Sequence, residues 1–176
     1  MLSVSSKFTN TLSVSNFTNF DNLLNGGAGS ATFTSNADGT LRAFPSGEGP
    51  NLIPSTATLR GIKFFVSVSP SSGNIGFTFT PKKGAGTNGT AQTGTYTAAQ
   101  SKIFGGDDEL FGLTFSNVND ITSFRLRLQF STVSGTATLS GIPGINPQFF
   151  YTLPFSNKVY NTSGKFSITS GKVSIT

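Results

Sequence analysis

Three stretches of this chain place apolar side chains at every second position, and that period leaves little choice of secondary structure. In Phe124-Arg125-Leu126-Arg127-Leu128-Gln129-Phe130, four apolar residues belong to one face while Arg125, Arg127 and Gln129 belong to the other. Ile62, Phe64, Val66 and Val68 share one face of the segment 62–68, as Ile75, Phe77 and Phe79 do over 75–80. A helix would scatter such residues around its circumference, whereas a strand buried on one side gathers them. Further strands are expected near 31–35, 40–44, 90–97, 110–115, 135–141 and 147–153. Turn chemistry separates them: Pro70-Ser71-Ser72-Gly73, the Gly-rich run 83–89 and Gly141-Ile142-Pro143-Gly144. Many short strands with frequent turns predict an all-β protein of two packed antiparallel sheets, a sandwich or jelly roll. No helix beyond a turn or two is expected, with 97–100 and 117–120 the candidates. At 176 residues a single domain encloses a full core without disulfides or metals.

Composition narrows the chemistry. The chain has no Cys, His or Trp, which excludes disulfide scaffolds, thiol catalysis, Cys/His zinc sites and His-based triads. Asp107-Asp108-Glu109 is its one carboxylate cluster, but three adjacent acids point in different directions and lack the alternate spacing of a calcium loop. They read as a solvated loop before a strand at 110–115, and no pair of acids is placed for glycoside hydrolysis. The Gly-rich run 84–89 lacks the Lys-Ser/Thr ending of a phosphate loop. No enzymatic activity, cofactor or metal is therefore expected. Nucleic-acid binding would want clustered cations, and only Lys82 and Lys83 are adjacent. No apolar run approaches a membrane span, and the first residues lack the pattern of a secretory signal. With 18 Phe but no Trp and three Tyr, aromatic residues read mainly as core, which leaves glycan binding as the alternative role.

The two ends carry small repeats. Leu2-Ser3-Val4-Ser5 is echoed by Leu12-Ser13-Val14-Ser15, and Ser163-Gly164-Lys165-Phe166-Ser167-Ile168-Thr169 by Ser170-Gly171-Lys172-Val173-Ser174-Ile175-Thr176. Both are β-prone and too weakly apolar to form a core alone, and residues 153–176 carry Lys158, Lys165 and Lys172 without an acid. These features divide the chain into an N-terminal arm (1–30), a sandwich (31–154) and a C-terminal arm (155–176). The arms are expected to add strands to neighbouring subunits. Phe8, Phe17, Phe166, Ile168, Val173 and Ile175 would serve as apolar anchors, with Lys158, Lys165 and Lys172 meeting acidic surface.

Residues 40–152 resemble a jelly-roll module of phage virion proteins (tail and minor structural proteins) and bacterial surface proteins. The resemblance is carried by Ile53-Pro54-Ser55-Thr56-Ala57-Thr58-Leu59-Arg60-Gly61-Ile62, by Phe104-Gly105-Gly106-Asp107-Asp108-Glu109-Leu110-Phe111-Gly112-Leu113, and by Phe124-Arg125-Leu126-Arg127, Gly135-Thr136-Ala137 and Phe149-Phe150-Tyr151-Thr152. Phe111 stands where the family usually has Trp, and Ser140-Gly141-Ile142-Pro143 replaces an Asp-containing strand. The resemblance implies an antiparallel β-sandwich of jelly-roll type, with Gly61 allowing close packing and Asn119-Asp120 turning the chain before Phe124. It also implies a non-enzymatic virion structural protein, foremost a capsid decoration or cement subunit, otherwise a tail or baseplate component. Its expected partners are the major capsid protein or tail proteins and copies of itself, with a trimer as the first expectation.

Overall fold

The structure is a computed structural model that describes residues 1–5, 9–20, 30–42, 53–70, 73–116, 118–141, 147–154, 166–169 and 172–175. These form thirteen antiparallel strands: β1 (Leu2–Ser5), β2 (Thr9–Thr18), β3 (Ser30–Arg42), β4 (Thr58–Pro70), β5 (Ile75–Lys83), β6 (Thr87–Asn88), β7 (Gln92–Tyr96), β8 (Gln100–Gly105), β9 (Phe124–Ser131), β10 (Ala137–Gly141), β11 (Gln148–Thr152), β12 (Phe166–Thr169) and β13 (Lys172–Ile175). A 3₁₀ helix, Val118–Ser123, is the one helix of more than a single residue among the described residues, and it turns the chain before Phe124 as expected.

Eleven strands form one hydrogen-bonded network that folds into two layers. One layer runs β1-β11-β4-β8 and the other β2-β3-β9-β5-β7, with the short β6 also paired to β5. The corner between them is made by β10, which pairs with the start of β3 and the end of β4. Alternation dictates which faces meet. Ile62, Phe64, Val66 and Val68 of β4, Phe77 and Phe79 of β5, and Phe124, Leu126, Leu128 and Phe130 of β9 are all buried. Rings join the layers: Phe79 of β5 lies 5.2 Å, edge to face, from Phe104 of β8, and Phe124 of β9 lies 5.5 Å from Phe149 of β11. The result is a β-sandwich-like, all-β fold.

Several expectations are revised. The strands expected at 31–35 and 40–44 are, over their described residues, one continuous strand, β3, which changes partner from β10 to β9 midway; 43–44 lie outside the described residues. The segment 110–115 is a turn and coil because Phe111 and Gly112 adopt φ of 54° and 69°, which breaks the extended path. Residues 97–99 form no helical turn; β8 begins directly after them. The described parts of the N-terminal segment lie on their own chain, β1 on β11 and β2 along β3. The reason is apolar: Val4 packs against the core, and the Phe17 ring sits 4.8, 5.0 and 5.6 Å from Phe20, Phe33 and Phe130. Phe17 is thus an internal anchor of this sheet.

Two measurements check this packing. Leu126→Ala removes a fully buried side chain and is expected to cost about 2–5 kcal/mol in chemical denaturation, with Arg125→Ala costing far less. Equal costs would place this strand in the wrong register. Tyr96 carries a buried hydroxyl with no hydrogen-bond partner among the described residues, and burial pushes its ionisation well above the ordinary tyrosine value. The folded chain therefore holds this proton more tightly than the unfolded chain. That contribution is complete below about pH 10 and is lost as pH rises above it. Tyr96→Phe is expected to leave stability equal or higher at neutral pH, since it removes an unpaired polar group. It should also flatten the alkaline loss of stability in a pH series of melting temperatures.

Candidate functional site

The end of the first layer is closed by the loop 105–112. Gly105, at φ 78°, takes the chain out of β8, and the loop folds back over β4. The Ile62 amide donates to the Glu109 carbonyl at 2.8 Å, and the Gly106 amide donates to the Ile62 carbonyl at 3.2 Å. Gly61 is required beneath it, because a Cβ there would stand 2.3 Å from the Gly106 carbonyl oxygen. The loop borders an open cleft of about 500 Å³ together with Thr90 and Gln92. Two of its three acids have structural duties. Asp108 pairs with Arg60 at 2.8 Å, and the Glu109 carboxylate accepts from the Phe111 amide. No group of three His, Cys, Asp or Glu side chains suited to a metal occurs among the described residues. Phe111 also borders the cleft, but it is buried with its ring 5.6 Å from Phe64 and so belongs to the core as well.

β12 and β13 form a separate two-stranded sheet and pair with no other strand among the described residues. The tandem repeat explains this hairpin: the strand from one copy is the antiparallel partner of the strand from the next. Phe166 stands opposite Ile175 and Ile168 opposite Val173. Lys172 pairs with Thr169 at the closed end. Among the nine residues expected at the arms, the structure thus brings Phe166, Ile168, Lys172, Val173 and Ile175 into one hairpin. Phe17 is in the sandwich, and Phe8, Lys158 and Lys165 lie outside the described residues.

A second surface was not anticipated. On the outer face of β1-β11-β4-β8, Phe150, Lys63, Phe65 and Ile103 form a strip across three strands. The Lys63 ammonium sits 5.3 Å from the Phe150 ring centroid and 5.5 Å from that of Phe65, while Ile103 is 63% exposed. The sequence holds the signal, because Phe64-Phe65 and Phe149-Phe150 are adjacent pairs. Successive residues of a strand face opposite ways, so one ring of each pair must point outward.

Compared with protein-family models, curated proteins and solved structures, the chain matches none. The reading of its surfaces therefore rests on their geometry and chemistry.

The loop's dependence on Gly61 is testable by thermal unfolding. Gly61→Ala drives a methyl into backbone that has nowhere to go and is expected to cost about 1–3 kcal/mol. Gly86→Ala, where the added methyl meets open space, should be close to neutral.

Proposed function

We propose that the chain is a jelly-roll module and works as a non-enzymatic structural subunit of a virion, foremost a capsid decoration or cement protein. Strand order supports the fold. Taking β1, β3, β4, β5, β7, β8, β9 and β11 as eight successive strands, one layer reads first-eighth-third-sixth and the other second-seventh-fourth-fifth. This is the wrapping of two interleaved Greek keys. Because one β-sandwich hosts many roles, the functional part rests on a separate feature. The observation that carries it is the β12–β13 hairpin, which among the described residues pairs only with itself. An isolated two-stranded hairpin is marginal in water and gains stability when its apolar face is covered. A particle supplies such cover many times over, and modest contacts repeated across copies become tight binding. The Lys-bearing repeat suits an acidic neighbour, and the expected assembly is a homo-oligomer, first a trimer, seated on capsid or tail proteins.

Light scattering on the full chain and on a chain truncated after Pro154 tests this reading. The expected result is an oligomeric full chain and a folded, monomeric truncation. A truncation that assembles as the full chain does would remove the hairpin from the assembly role. The alternative, a glycan-binding or adhesion module, is favoured by the Phe150–Lys63–Phe65 strip, since flat outward rings stack on sugar faces. Glycan-array binding that disappears in Phe65→Ala with the fold intact would decide for it.

A further inference from the structure

The outer face of the second layer concentrates positive charge in an unusual way. Cross-strand register aligns Arg42 of β3, Arg125 of β9 and Lys82 of β5 in one row, each directly opposite the next. Like charges in that relation repel and destabilise a sheet. The row beside it holds Thr40, Arg127 and Thr80, and the next Asp38, Gln129 and Thr78. Asp38 is the one acid on these rows, and it is already engaged. Its carboxylate accepts from Arg127 Nε at 2.9 and 3.0 Å, from an Arg127 terminal nitrogen, and from Gln129 at 3.2 Å. The pair holds the Arg127 guanidinium even more firmly charged than usual, chiefly through that hydrogen bonding. Among the described residues no ion pair reaches Arg42, Arg125 or Lys82. Among the described residues the Nε atoms of Arg42 and Arg125 are buried without a hydrogen-bond partner, so both guanidiniums are partly stripped of water and meet no counter-charge there.

We infer that this row is a binding site for an extended acidic segment of a partner protein. Arg presents a planar fork that matches a carboxylate, and a carboxylate between two of these cations would replace repulsion with attraction. The spacing fits: the row spans roughly 10 Å across three strands, while carboxylates at alternate positions of an extended peptide stand about 7 Å apart. A shallow hollow of about 360 Å³ lies alongside, bounded by Ser13, Ser15, Thr40, Lys82, Arg127 and Asp38, so its two cations outnumber its one acid, which Arg127 already pairs. Apart from the Asp38–Arg127 pair, the outward residues of β3, β9, β5 and β7 around the row are Thr, Gln, Ser and Gly with no aromatic ring, so nucleotide bases find no stacking platform. Carboxylates are the anion this face is made for. The inference stands apart from the hairpin and from the virion reading.

Fluorescence anisotropy with the full chain and a short alternating Glu-Thr peptide tests it. The peptide is expected to bind, to weaken with added salt, and to lose about tenfold in affinity with either Arg125→Gln or Lys82→Gln. Lys63→Gln, on the opposite layer, should bind as the parent does. Melting temperature separates a ligand site from a structural role. Removing one cation from the row relieves repulsion, so Lys82→Gln should melt at or above the parent while binding worse. Undiminished binding by Lys82→Gln overturns the inference, and so does a loss of stability that accompanies the loss of binding. Tighter binding of a charge-matched oligonucleotide or sulfated polysaccharide than of the peptide overturns the assignment to an acidic protein.

Discussion

The structure depends on aromatic rings meeting across the two layers. Phe79 is the hub: its ring lies within about stacking distance of Phe77, Phe104 and Phe130, at 4.5, 5.2 and 5.9 Å. Each of these comes from a strand whose own pairing is already fixed, so one ring locks β5, β8 and β9 together. A chain with 11% charged residues and no cysteine has few other means of holding two sheets in register. Phe supplies large buried area without a polar atom to satisfy, which is why it dominates the interior.

That dependence explains which parts of the fold are legible from sequence. Wherever one face is apolar for four positions, as in β4 and β9, alternation alone identifies strand, face and core. It is silent where burial is uneven. β8 eludes it because Ile103 faces solvent while Lys102 turns inward, its ammonium 5.0 Å from the Phe77 ring. The opposite failure occurs at 110–115, where Phe111 and Leu113 are buried in alternation yet no partner strand is present to make a ladder. Pairing partners are also beyond local reading. The terminal repeats look alike in composition, but one end lies on the sandwich and the other pairs with itself, a difference set by distant residues such as Phe33 and Phe130.

The candidate surfaces follow the same division. The hairpin residues were visible because a repeat is a local feature. The cationic row was not, because Arg42, Lys82 and Arg125 are far apart in sequence and become neighbours only through the register of β3, β9 and β5. Likewise Lys82 and Lys83 read as one basic pair, but alternation sends them to opposite faces. Lys82 joins the row, whereas Lys83 reaches Asp120 at 2.9 Å and the Thr114 carbonyl at 3.0 Å, pinning the 3₁₀ helix.

The position of β11 has a consequence for time rather than for shape. Residues 148–152 fill the place between β1, at residues 2–5, and β4, so the first layer has a gap at its centre until nearly the whole sandwich has been made. A chain emerging from the ribosome can complete the second layer first, since β3, β5, β7 and β9 need nothing beyond residue 131. Closure of so distant a pair makes for slow folding, with the edges of β1 and β4 open meanwhile.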